Sequence, residues 1–367
     1  MPRRIGLDLG TDYIRIVDEN GKIYRAPSVI VMDKYSECIA AVGDSAKKML
    51  GRTPDHMEAI RPIREGVVAD GRACSDLLRT LFEQQLNIGG MLSRTEVVVS
   101  APGGISAMQA ENIIQAVYRA NVRRVTLIDA SICAAVGSGL QYRNVRGCMV
   151  LDLGGGISSA AVISMGDVAQ FGMIPIGGDT LDTAIVDRIR ADKGLTIGEQ
   201  LAEYLKRTIG SASPDTNLGA KTVIGRDEKT KKIGEASIGS ADIYPPILEY
   251  VKALSALIRR ILAGTPPELC ADIGDFGIMM TGGMSGLDGL AQAIRNRTRI
   301  RITLAHQPQD VVIKGLNALV QLRKIEVHRH PVGQYHRDNH QTAAVMRLFH
   351  RREHFEDCSH KSEAMDR

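Results

Sequence analysis

From Arg4 to Val31 the chain runs through short apolar stretches at 5–9, 13–17, 22–24 and 29–31, separated by breaks rich in Gly and Asp. Short apolar runs bounded by turn formers predict a meander of strands. From Gly71 the period changes. Leu77, Leu78, Leu81, Phe82 and Leu86 recur at helical spacing, which predicts a helix over 71–86, and the β-branched run at 97–99 predicts a strand after it. A helix at 106–120, a strand at 125–128 and a small-residue helix at 131–140 follow. The second half opens with the same grammar: a strand at 148–152, a Gly-rich turn, then strands at 160–164 and 168–174. Helices are expected at 181–191 and 198–209, polar strands at 221–224 and 232–238, and a long helix at 247–262 beginning after Pro245 and Pro246. A strand at 277–280 runs into the turn TGGM. Alternating strands and helices imply central sheets covered by helices, and two halves that open alike imply a duplicated domain.

Composition narrows this picture. At 367 residues the chain suggests about two domains. Apolar residues at 44% and charged residues at 24% are ordinary for a globular protein, while 37 glycines are more than usual and promise many tight turns. A net charge of +4, with no basic run interleaved with aromatics, argues against nucleic-acid binding. Cys38, Cys74, Cys133, Cys148, Cys270 and Cys358 show no CxxC spacing, and no signal peptide precedes MPRRIGLDLG, so a reducing cytoplasm is expected. No apolar run reaches the ~20 residues of a membrane-spanning helix. After Glu326 seven of the nine histidines cluster with mixed charges and little apolar periodicity, which predicts a mostly disordered tail over 326–367.

Two turns carry the candidate chemistry. In DLGT (8–11) Gly10 lets backbone N–H groups approach phosphate oxygens, and Asp8 at the strand end is placed for a metal-bound water. DLGGGIS (152–158) repeats the arrangement with Asp152 and three glycines. Paired carboxylates suit Mg²⁺, which keeps several of its waters. Taken alone, DLGT reads equally as an ordinary hairpin.

With these turns the chain resembles the superfamily of actins, heat-shock chaperones and sugar kinases, and within it the MreB and Mbl bacterial actins. The resemblance spans roughly residues 4–325 and includes AVGDSAKKMLGRTPDHMEAIRPIREGVVAD (41–70) and TPPELCADIGDFGIMMTGGMSGLDGL (265–290). It implies an α/β chain with the actin-like ATPase fold: two related domains, each a central mixed sheet with covering helices, and nucleotide in the cleft between them. Domain I would comprise 1–145 and 315–325, with a small subdomain at about 33–70. Domain II would comprise 146–314, with a small subdomain at about 181–242. By the same likeness ATP and Mg²⁺ are the cofactors. Asp8, Gly10, Thr11 and Asp12 would hold one phosphate face and Asp152, Gly154, Gly155 and Gly156 the other, with Mg²⁺ at Asp8 and Asp152. Gly178 and Asp179 would lie near the nucleotide, Glu203 and Lys206 would reach its ribose and base, and Thr281, Gly282, Gly283 and Met284 would form the adenosine loop, where the family usually has TGGG. At i,i+3, Glu203 and Lys206 also read as a surface ion pair. Gly315 would be a linker glycine between the halves.

Two departures concern hydrolysis. Where such proteins carry a water-orienting Glu followed by Pro, this chain has Ala130 and Ser131, and Ala cannot polarise water. Ile157 stands where the second phosphate loop usually has Thr. Slow or lost turnover follows, and no catalytic residue is assigned.

The resemblance further implies filaments of the chain with itself, attachment to the inner face of the cytoplasmic membrane, and partners among cell-wall synthesis or shape-determining membrane proteins. Met91 and Leu92 form an apolar loop at the family's membrane-insertion position, or else they pack onto the domain. In the tail His350, His354, Cys358 and His360 have a spacing compatible with Zn²⁺, although histidine-rich disordered extensions are the commoner meaning. Three other functions compete: a sugar kinase on the same fold, a chaperone-like ATPase, and a non-hydrolysing paralogue that regulates a partner filament.

Overall fold

The structure, a computed structural model, describes residues 3–86, 95–321 and 329–336. The chain opens with the strands β1 (Arg4–Leu9), β2 (Tyr13–Val17) and β3 (Ile23–Pro27). Next, β4 (Ile30–Asp33), β5 (Ile39–Val42), the helix α1 (Gly43–Met49) and β6 (Met57–Ile60) build a small antiparallel sheet in the order β5-β4-β6. A short hairpin, β7 (Ile63–Arg64) and β8 (Val67–Val68), leads to α2 (Gly71–Leu86), β9 (Glu96–Ala101), α3 (Ala107–Tyr118), β10 (Arg124–Asp129) and α4 (Ala130–Gly137). The start of α3 is fixed by a capping box: the Gln109 N–H donates to Ser106 Oγ, and the Ser106 N–H donates to Gln109 Oε1.

The second half repeats the plan with β11 (Cys148–Leu153), β12 (Ser158–Ser164) and β13 (Asp167–Ile174). The run α5 (Gly178–Lys193), β14 (Leu195–Thr196), α6 (Glu199–Ile209), β15 (Ala220–Asp227) and β16 (Ile233–Gly239) forms a second small unit. The chain continues through α7 (Ser240–Ala263), α8 (Pro267–Phe276), β17 (Ile278–Thr281), α9 (Leu290–Thr298), β18 (Ile302–Leu304), α10 (Val311–Gln321) and β19 (Arg329–His336).

The two main sheets have the orders β3-β2-β1-β9-β10-β19 and β13-β12-β11-β17-β18. Each puts a meander on one side of its first strand and parallel crossovers on the other: β1 pairs antiparallel with β2 and parallel with β9, as β11 pairs with β12 and β17. Helices cover the outer faces. Ile5, Leu7, Val97 and Val99 pack with Leu77, Leu81 and Phe82 of α2 in one core, and Met149, Leu151 and Val162 pack with Ile185, Leu254 and Ile258 in the other. A third apolar cluster joins the halves, taking Ile132 and Ala135 from α4, Ile313 and Leu316 from α10, and Val98, Ile128, Val150 and Ile163 from the facing sheets. The cleft between the halves opens beyond this shared floor.

Two expectations are corrected. The helix expected to begin after Pro245 and Pro246 instead starts at Ser240 and carries both prolines inside it. Asp242 Oδ2 accepts the Gly239 N–H at 2.8 Å, and the fully buried Ile243 and Ile247 clamp the turns on either side of the prolines. Packing thus offsets the ~3 kcal/mol an internal proline costs. The stretch assigned to a disordered tail contains β19, which pairs antiparallel with β10 and supplies partners for an edge otherwise left open. Pro331 is tolerable there because edge strands accept proline. The Met91–Leu92 loop and the His350, His354, Cys358 and His360 group lie outside the described residues.

Candidate functional site in the cleft

A cavity of about 560 Å³ lies between the halves, within the size range of ligand pockets. Its walls include Asp8, Gly10, Thr11 and Asp12 from the first half, and Asp152, Gly154, Gly155, Gly156, Gly178, Glu203, Lys206, Gly282, Gly283 and Met284 from the second. Asp179 is not on this wall. It lies beside the cleft with Asp12, Lys47 and Arg61, and its carboxylate is 3.3 Å from Arg61.

The two turns are built alike. In the first hairpin Leu9 pairs with Ile14, and in the second Leu153 pairs with Ser158, so each has a four-residue loop between paired strands. Carbonyls in both loops are tied down by hydrogen bonds. The Ser28 hydroxyl donates to the Gly10 carbonyl at 2.6 Å and the Ser28 N–H to the Asp12 carbonyl at 2.9 Å. Likewise the Gly178 N–H donates to Gly154 and the Asp179 N–H to Gly155, at 3.1 and 2.9 Å. The N–H groups of Gly155 and Gly156 have no protein partner among the described residues, the arrangement by which a backbone nest receives an anion. The loops meet across the cleft. A Cβ at Gly155 would stand 3.0 Å from Asp12 Cβ, and one at Gly156 would run into Thr11, so a side chain at either position would fill the cradle. Thr11 Oγ1 in turn accepts the Gly66 N–H at 3.1 Å from the β7–β8 turn, and Ile157 packs against the same glycine.

Asp8 and Asp152 close the base. Burial pushes the Asp8 carboxyl up, opposed by the Arg15 guanidinium and by the Ser100 hydroxyl, which donates to Asp8 Oδ1 at 2.9 Å. Burial, aided by repulsion from Asp8, pushes the Asp152 carboxyl up to about 6. Two crowded carboxylates of this kind fit a hard divalent cation through oxygen donors. The cation actually beside them is Arg15, whose Nη1 is 3.4 Å from Asp8 Oδ2 and whose charge favours the ionised form of both.

Deeper in domain II, Lys206 does not pair with Glu203. Its Nζ donates to Asp182 Oδ2 at 2.8 Å and to the Gly178 carbonyl at 3.0 Å, and the Lys206–Asp182 pair is nearly closed to solvent. Burial lifts Asp182 to about 7 even so. Glu203 faces the other half, 3.3 Å from Lys47, with Arg207 beside it. Met284 is buried among the apolar side chains of the second core, so its extra bulk forms part of the cavity wall rather than a loose obstruction.

Ala130 sits on the cavity wall at the first position of α4. Its neighbour Asp129 is not on that wall, and its carboxylate is engaged in capping the helix, Oδ1 accepting the Ser131 N–H at 2.7 Å. The hydrogen-bonded groups that hydrophobic patterning missed are Arg15, Arg25, Ser100, Asp182 and Asp310. Three of them were recoverable: a four-residue loop closing Leu9 on Ile14 places Arg15 opposite Asp8, and the next strands align Ser100 and Arg25 in the same row.

Residues 2–327 match the MreB/Mbl protein family. The chain belongs to the MreB/Mbl family. It is 34% identical over 319 residues to the cell shape-determining protein Mbl of Bacillus subtilis, covering 87% of this chain and 96% of that one. It is 33% identical over 316 residues to the cell shape-determining protein MreB of Escherichia coli, with 85% and 91% covered. Among solved structures, MreB5 of Spiroplasma citri bound to AMPPNP superposes with a TM-score of 0.84 at 26% identity, over 89% of this chain and 98% of that one. The same protein bound to ADP gives a TM-score of 0.83. A MamK double helical filament subunit, 18% identical with a TM-score of 0.69, shares the fold. This MreB/Mbl chain therefore has the actin-like ATPase fold, and its paired hairpins are the two arms of that fold's cleft. Among the described residues no helix is long and apolar enough to cross a membrane.

Proposed function

We propose that this chain is a bacterial actin subunit that binds ATP in the cleft, assembles into filaments at the inner face of the cytoplasmic membrane, and organises cell-wall synthesis and cell shape. The observation that carries this reading is the meeting of two matched glycine loops across one cavity, with the Gly155 and Gly156 amides free of protein partners among the described residues and a carboxylate at the strand end before each loop. Crystallisation of a relative with ADP and with AMPPNP, and the MamK filament, support nucleotide binding and self-association. The loop amides would receive the phosphates, Lys206 and Glu203 would border the sugar and base, and Asp8 and Asp152 would hold Mg²⁺, which when bound neutralises phosphate charge. Asp12 and Thr11 orient the first loop against the second.

Ala130 favours a second reading, in which the subunit binds ATP and regulates a partner filament without turning it over. The test is electron microscopy and pelleting of the purified chain with ATP and anionic liposomes, alongside phosphate release. Nucleotide-dependent filaments with slow phosphate release are expected. Ala130→Glu is expected to raise release by about 10²-fold, the usual yield of a positioned base. Absence of ATP binding sinks the reading, whereas wild-type release equal to that of the Glu variant sinks only the hydrolytic part.

A further inference from the structure

The row of side chains beside Asp8 carries a charge cluster that the nucleotide reading leaves unused. Ser100, Asp8, Arg15 and Arg25 occupy facing positions on β9, β1, β2 and β3, and all four line the cavity. Asp310, in the turn Pro308–Asp310 that leads into α10, closes the row from above. It is 2% exposed, bonds Arg25, and stands 3.5 Å from Arg15 Nε. Arg15 is thus held by carboxylates on two sides but is only loosely bonded. Its contact with Asp8 is 3.4 Å long, and its Nε makes no hydrogen bond. A guanidinium has five N–H donors, so most of those on Arg15 are uncommitted in a cavity whose loops are built to receive an anion.

Resting on the nucleotide reading above, we propose that Arg15 is a resident cation of the cleft. Braced by Asp310 and Asp8, it contacts the polyphosphate of a bound nucleotide and supplies locally part of the charge that a divalent cation would otherwise bring. Three features favour this over a purely structural ion pair. The pairing geometry is slack where a structural pair would be tight and bidentate. The guanidinium lines the same cavity as Asp8 and Asp152, the two groups a bound cation would serve, and stands 3.4 Å from the first of them. Asp310 and Arg25 also form a pair of their own behind it, which fixes the position of Arg15 without saturating it. The consequence is a site that retains nucleotide when divalent metal is removed.

The experiment is equilibrium binding of ATP to the full chain, by calorimetry, in excess Mg²⁺ and in EDTA. For the wild type the two dissociation constants are expected to agree within about fivefold, which is under 1 kcal/mol. Arg15→Gln is expected to weaken binding in EDTA by about 10- to 100-fold, the range for losing a hydrogen bond to a charged group, and to weaken it less in Mg²⁺. Arg15→Lys keeps the charge and the ion pairs but loses the fork, and is expected to fall between them. A wild type whose affinity drops 100-fold or more in EDTA overturns the proposal, as does an Arg15→Gln chain that binds in EDTA as tightly as the wild type. Should Arg15→Gln melt near room temperature, the wild-type comparison and Arg15→Lys decide. No binding by the wild type in either buffer is a different failure, that of the nucleotide reading itself.

Discussion

Asp152 pays for its position at the base of the cleft, and that cost is measurable. Burial and Asp8 raise its carboxyl from 3.8 to about 6 in the folded chain. A raised carboxyl holds its proton more tightly when folded, so its contribution to stability is complete below the unfolded pKa and is lost as pH climbs through the folded one. Asp152→Asn removes that loss. The nucleotide-free variant is expected to be more stable than the wild type at neutral to alkaline pH by about 1–3 kcal/mol, with the gap closing as pH falls below about 4. Thermal melts across pH check this, and coincident melts at pH ~8 would refute it. The residues of the two hairpins were legible because the DLG turn occurs twice, where one copy alone reads equally as an ordinary hairpin, while Gly178, Asp179, Glu203, Lys206 and the 281–284 loop came from the family likeness. The partners of these residues were not legible. Spacing put Glu203 and Lys206 on one helix face, yet each bonds across to another element, Lys47 and Asp182 respectively, since a salt bridge is settled by what packs opposite a helix and not by the helix alone.

Among the elements, the α4–α10 crossing sets how close the two halves come at the floor of the cleft. A Cβ on Gly315 would overlap the Cys133 carbonyl, and one on Gly137 would overlap the carbonyl of Val311, so the helices touch backbone to backbone. Resemblance marks Gly315 as a linker, whereas its surroundings are those of a helix contact. The sign of one substitution separates the two roles. Mid-helix Gly→Ala gains about 1 kcal/mol from propensity alone, whereas forcing a methyl into this crossing costs about 1–3 kcal/mol or more. Gly315→Ala is expected to lower the melting temperature, and an unchanged or higher value would show that the helices are not in contact. Hydrophobic period located the long elements well: the helix at 71–86 matches α2 at both ends. It missed α1, α8 and α9, which are short and expose much of their surface, and it began α7 too late, at Ile247 and not Ser240, because proline is a local signal and packing is not.

Across the whole molecule, the cleft is bridged on its far side by ion pairs and a hydrogen bond between partly exposed groups. Arg61 reaches Asp179 and Glu199 at 3.3 Å each, Lys47 reaches Glu203, and Gln200 donates to the Lys47 carbonyl at 2.8 Å. The opposite side is the apolar floor of α4 and α10. Partly exposed ion pairs contribute about 0–1 kcal/mol each and weaken with salt, while the floor does not. The nucleotide-free chain is therefore expected to open about its floor when salt is raised. Lys47→Ala combined with Arg61→Ala should reproduce that opening at low salt. Solution scattering reads it as a larger radius of gyration, and a double variant as compact as the wild type would count against it.

The matched sheets also mean that the chain carries its own reference copy. The position across from Asp8 holds Arg15, while the corresponding position across from Asp152 holds Ser159, which lines the same cavity. One arm of the clamp is thus charged and the other neutral, on near-identical scaffolds. Arg15→Ser would make the arms alike, and Arg15→Ser combined with Ser159→Arg would move the asymmetry to the other side. Comparing the two would tell whether the charge matters for where it stands along the bound ligand or merely for being in the cleft.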